Sequence, residues 1–301
     1  MKKRVISAIF ILLILFTFLA LRFVNISIFD IMTFGITLIA GYEISDCNKK
    51  SGKSNFLSAV LFLSVTLYAS LTICFLTKSN VVTCVIAMVC DFALAIIFMV
   101  IVSLFAKGKA KEDETPVLKS YITTIKIMIY PVLLLSSLYF VNNMTIISPK
   151  INDVDIGLFL ITSIFSVSMA TDTFAFFVGK ILKGPHLAPT ISPKKTISGA
   201  IGGLVFGILA LVALYAIFMQ FDSYKLVFTE LNINVYHIIL IGALTSVFNQ
   251  AGDLYESYEK RKLGIKDFGK IIPGHGGVMD RVDGMSFVSL VTFIIYAFIL
   301  G

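Results

Sequence analysis

The sequence predicts an all-α fold, a polytopic transmembrane helical bundle of about nine spans with a cytoplasmic N-terminus. Three observations predict it. Of the 301 residues, 57% are hydrophobic and 14% charged, with a mean hydropathy of +0.94; a soluble domain carries about 25% charge. Apolar runs of about 20 residues recur, each long enough to cross a hydrocarbon core of ~30 Å as a helix. Backbone in lipid must satisfy its own hydrogen bonds, and contiguous apolar runs do so as helices rather than as a barrel. Finally, spans at 5–21, 25–44, 55–77, 82–106, 117–141, 155–179, 197–219, 235–254 and 284–300 put 19 Lys and Arg on the N-terminal side and four on the other, with Lys119 and Lys126 inside the fifth span. Such asymmetry places the basic side in the cytoplasm.

The first run, MKKRVISAIFILLILFTFLALRF, has the basic start and apolar stretch of a signal peptide. No small-residue cleavage site follows it and further spans begin at once, so it reads as a span. Three of the four cysteines, Cys74, Cys84 and Cys90, lie in apolar runs, and with Cys47 they form no CxxC. They read as small hydrophobes, neither disulfides nor metal ligands. Asp91 in the fourth span and Lys126 in the fifth both fall near mid-membrane and read as a structural ion pair. KGKAKEDETP, residues 107–116, reads as a solvated loop. The net charge of +7 belongs to cytoplasmic loops and implies no nucleic-acid partner.

The second half carries the chemistry. In TDTFAFFVGK, helical spacing puts Asp172, Ala175, Phe176 and Gly179 on one face, with Asp172 about two turns inside the membrane. Such a residue faces a bundle interior or a wet cavity. In SPKKT, Ser192 reads as an N-cap, Pro193 as the first helical residue and Thr196 as part of the opening turn. Lys194 and Lys195 there either bind phosphate at a helix N-terminus or simply flank the seventh span. In NQAGDLYESYEKR, Asp253, Glu256 and Lys260 share a face that begins at membrane depth and ends in water. GIKDFGKIIPGHGGVMDRVDG then sets Gly276 and Gly277 beside His275, followed by Asp280, Arg281 and Asp283. Glycines let backbone N–H groups approach an anion, and nearby carboxylates suit a divalent ion bridging to phosphates. Asp253 and Asp280 each stand at a membrane boundary, joined by a loop that can fold back.

Residues Ser257 to Asp283 closely resemble the signature of the phosphatidate cytidylyltransferases. Ser257, Lys260, Arg261, Lys266, Asp267, the PGHGG run at 273–277, Asp280, Arg281 and Asp283 match in register, as do DTFAFFVG and SPKKTISGAIGG. Glu259 departs from the family's usual apolar residue, as does KILKGPHLAP after Gly179. The resemblance implies that phosphatidic acid attacks the α-phosphorus of CTP, releasing pyrophosphate, in the plane of the lipid bilayer. It implies catalytic roles for Asp253, Asp280, Lys260, Arg261, His275 and Arg281. Substrate binding would fall to Ser192, Lys194, Lys195, Thr196, Lys266, Gly276, Gly277 and Asp283. Mg²⁺, with room for a second metal ion, would be held by Asp253 and Asp280, with Asp172, Glu256 and Asp283 as second choices. Residues 1–141 would then be N-terminal transmembrane helices, about five spans. Residues 142–301 would be the catalytic region, with cytoplasmic loops 180–196 and 255–283, in a bacterial inner membrane. The oligomeric state stays open, a homodimer included. Two other classes compete: a different CTP-dependent lipid enzyme such as a polyprenol kinase, and an anion transporter lined by Asp91, Asp172 and Asp253. The absence of an evident internal repeat speaks against the transporter.

Overall fold

In a computed structural model, residues 13–107, 117–147, 154–272 and 276–300 are described. Among them, eight helices are long and apolar enough to cross a membrane. They are α2 (Ile26–Lys50), α3 (Leu57–Leu76), α4 (Val81–Lys107), α5 (Val117–Asn142), α6 (Ile156–Leu182), α7 (Ile197–Phe218), α9 (Val235–Leu263) and α10 (Met279–Leu300). Helix α1 (Leu13–Arg22) precedes them, and α8 (Asp222–Glu230) lies between α7 and α9. The protein is an integral membrane protein with the helical bundle the sequence predicts. The start of the expected span at 5–21 lies outside the described residues.

The chain forms two compact units. The first comprises Met1–Tyr139 and Leu263–Arg281; the second comprises Phe140–Lys262 and Val282–Gly301. In the first unit, Tyr68 stacks on Tyr139 at 4.7 Å, and its hydroxyl meets that of Thr37 at 3.0 Å. Thr72 bonds the Tyr139 hydroxyl at 2.6 Å. These buried hydroxyls are thus paired, as a lipid environment demands. Asp91 accepts a hydrogen bond from Ser70, and no ion pair with Lys126, which is exposed, occurs among the described residues. The expected pair is therefore absent: a hydroxyl one helix away satisfies Asp91.

In the second unit, Phe174 and Phe206 stack 3.7 Å apart between α6 and α7. Phe159 meets Phe218 and Phe228 edge-on, which seats α8. SPKKT is not a helix start. Ser192–Thr196 is a strand, β2, pairing antiparallel with β1 (His186–Ala188) in the register His186↔Thr196 and Ala188↔Ser192. Pro193 is tolerated because each strand of a two-stranded ribbon has a free edge. The true N-cap is Thr196, whose hydroxyl accepts the Gly199 N–H at 3.1 Å. Lys194 and Lys195 therefore ride a hairpin, not a helix terminus. The helix of the eighth span also runs on to Leu263, so Glu256, Lys260 and Arg261 are helical rather than part of a loop.

Candidate active site

Helices α9 and α10 cross at Gly252 and Gly284. A Cβ at Gly252 would lie 3.0 Å from the Gly284 backbone, and one at Gly284 would lie 2.9 Å from the Asn249 carbonyl. Only glycine allows that approach, and it brings Asp283 of α10 against the polar face of α9. Oxygens of Asp253, Glu256 and Asp283 lie within 4.8 Å of one another. Glu256, 2% exposed, uses one oxygen for an ion pair with Lys260 at 2.7 Å; its other oxygen is buried without a hydrogen-bond partner. Three crowded carboxylates repel one another, and an orphaned buried oxygen is costly. Both costs fall if a hard divalent cation takes its oxygen ligands here. The donor set therefore fits a metal ion.

A pocket of about 430 Å³ adjoins this trio through Asp253. All four residues of the α6 face line it: Asp172, Ala175, Phe176 and Gly179. Lys180, Lys194, Lys195, Leu187 and Thr196 complete much of the rest. Lys195 pairs with Asp253 at 2.5 Å, so a cation and a carboxylate meet at one wall. Asp172 accepts the Asn249 amide at 2.7 Å. Arg261 is exposed and donates from Nε to the Ile191 carbonyl at 3.3 Å, tying the hairpin turn to α9. Ser192 is half-buried in β2. The pocket's lining mixes three lysines with Ala175, Phe176 and Leu187, which suits an amphiphilic anion.

The remaining predicted residues belong to the first unit. Asp280, 5% exposed, accepts the Phe268 N–H at 3.1 Å and the Gly277 N–H at 2.6 Å. Asp280 belongs to the first unit and Asp253 to the second. The oxygens of Asp280 face backbone donors and shape the glycine loop. Gly276 has φ +87°, a conformation that favours glycine, and Ile272 and Gly276 form a bridge across the loop. Lys266 and Arg281 are exposed. His275, with Pro273 and Gly274, lies outside the described residues.

Sequence reasoning missed Glu43. It is 3% exposed on α2, and its carboxylate accepts the Val278 and Met279 N–H groups at 3.1 and 2.9 Å. It lies inside the expected second span, and an acid within a span is itself a signal of function. What it touches, 235 residues on, no local pattern reveals.

Comparison with known proteins agrees with this chemistry. A 132-residue stretch is 40% identical to the phosphatidate cytidylyltransferase of Staphylococcus haemolyticus and 41% identical to that of Staphylococcus aureus. The stretch of Staphylococcus saprophyticus is 38% identical. Each match covers 44% of this chain and 46% of the relative, so the chain spans about half the length of the curated relatives it matches. The profile described as "Cytidylyltransferase family" extends much further, over residues 2–299. With its paired lysines, crowded carboxylates and glycine loop inside that match, the chain belongs to the cytidylyltransferase family.

Proposed function

We propose that this chain is a phosphatidate cytidylyltransferase, acting on CTP and phosphatidic acid at the cytoplasmic face of a bacterial inner membrane. A phosphate oxygen of phosphatidic acid attacks the α-phosphorus of CTP. The bond from that phosphorus to the oxygen bridging to the β-phosphate breaks, and pyrophosphate leaves CDP-diacylglycerol behind. The nucleophile is already an anion, so no strong base is required. The barrier lies in bringing two polyanions together, which makes charge neutralisation and orientation the task.

The observation that carries this reading is the Lys195–Asp253 pair, where a cationic, half-apolar pocket meets the carboxylate trio. Lys180, Lys194 and Lys195 suit the lipid phosphate, and Phe176 and Leu187 offer an apolar wall to its chains. Asp253, Glu256 and Asp283 would hold Mg²⁺, which when bound offsets phosphate charge. Lys260 steadies Glu256, and Arg261 fixes the hairpin that carries the lysines. The 19-to-4 charge split supports the cytoplasmic orientation.

The test uses purified protein, phosphatidic acid and CTP labelled in either the α- or the γ-phosphate. Cytidylyl transfer moves only the α-label into the lipid extract. Movement of the γ-label would instead identify a lipid kinase, and movement of neither would overturn the proposal.

A further inference from the structure

Glu43, Cys47 and Ser51 are spaced i, i+4, i+8 and therefore lie on one face of α2 and its C-terminal end. Each connects to the same distant segment. Ser51 donates its hydroxyl to the Leu263 carbonyl at 3.1 Å, and Cys47 its thiol to the Phe268 carbonyl at 2.7 Å. Glu43 accepts Val278 N–H on Oε1 and Met279 N–H on Oε2. Those two amides open α10, where helix donors lack internal partners and negative charge is favoured. Among the described residues no Lys or Arg forms an ion pair with Glu43, so the helix end is what answers its charge. Asp280 holds the Phe268 and Gly277 amides from the other side. Two buried carboxylates thus fix four amides of one loop. The glycines fit the same purpose. A Cβ on Gly269 or Gly277 would overlap the Glu43 carboxylate and, at Gly269, come within 2.8 Å of the Gly277 backbone.

We propose that Glu43 is a positioning residue for cytidylyl transfer, acting through residues 268–269 and 277–279, which it and Asp280 hold. Its kinetic role rests on the function proposed above; its grip on the loop does not. Glutamine at position 43 keeps the size but presents an NH₂ to one of the two N–H donors, stranding it. Aspartate keeps both acceptors and the charge but is one methylene shorter.

The experiment compares wild type, Glu43→Gln and Glu43→Asp as purified full-length protein, by amide hydrogen exchange and by steady-state kinetics. In Glu43→Gln, exchange at 268–269 and 277–279 should quicken about tenfold or more, the scale of stranding a buried donor, while α6 keeps its protection. Its kcat/KM should fall about 10–100-fold, as when a supporting partner of a site is lost. Glu43→Asp should fall between glutamine and wild type in both measurements. Gly269→Ala, which crowds the same carboxylate, should loosen the same loop. Wild-type exchange and kinetics in Glu43→Gln would overturn the proposal. So would equal loosening of α6 and the loop, since that marks a merely structural residue. If wild type transfers no cytidylyl group, the proposed function fails, and the exchange data still decide whether Glu43 holds the loop.

Discussion

Two sets of acids, one buried and one only partly so, meet opposite fates in this molecule. Around the glycine loop, Glu43 and Asp280 turn their oxygens toward four backbone N–H groups. At the crossing of α9 and α10, Asp253, Glu256 and Asp283 crowd within 4.8 Å, and one Glu256 oxygen has no donor. The first set is satisfied by the chain itself and spends its charge on shape. The second is satisfied only in part, by Lys195 and Lys260, and keeps capacity for a cation. The bonding of each oxygen separates an acid committed to holding backbone from one with capacity left for a ligand.

The largest effect should come from the crowded set. Asp253→Asn should lower kcat/KM by about 10³-fold or more, since it removes charge both from the metal-competent trio and from the partner of Lys195. Activity within tenfold of wild type would break the comparison. Lys195→Ala should cost about 10²-fold, the scale of one preorganised electrostatic contact, and Lys194→Ala less. Equal losses from both lysines would mean that the pairing with Asp253 carries no special weight.

Stability sharpens the contrast by reversing its sign. Asp280→Asn strands a buried amide, so the melting temperature of the metal-free protein should fall, by the equivalent of about 1–3 kcal/mol. Asp283→Asn removes like-charge repulsion from the trio, so melting without metal should be unchanged or higher. A fall with Asp283→Asn as large as that with Asp280→Asn would erase the distinction. The smallest effect belongs to Lys50→Ala. It breaks an exposed pair with Asp46, and neither melting nor turnover should move measurably.

The spans were legible because an apolar run long enough to cross lipid has few other uses. Their ends were less so. The charged run YESYEKRKL reads as a helix leaving the membrane, and the helix does run on to Leu263, with Glu256 paired to Lys260. SPKKT has the residues of a helix start, and only its pairing with His186–Ala188 makes it a strand. Asp253 and Glu256 were legible as one helix face. Asp283, a second choice in the sequence, stands beside them because the Gly252–Gly284 crossing brings α10 against that face. Glu43 is the extreme case: its partners are fixed wholly by tertiary structure.

The central proposal is that Asp253, Glu256 and Asp283 together hold a divalent cation. Mn²⁺ binding to the purified protein without substrates, followed by electron paramagnetic resonance, tests it most directly. Asp283→Asn should bind Mn²⁺ at least about tenfold more weakly than wild type, since a hard cation loses a charged oxygen ligand. Asp280→Asn, whose loss falls on the loop, should bind it like wild type. Wild-type affinity in Asp283→Asn together with lost binding in Asp280→Asn would contradict the account.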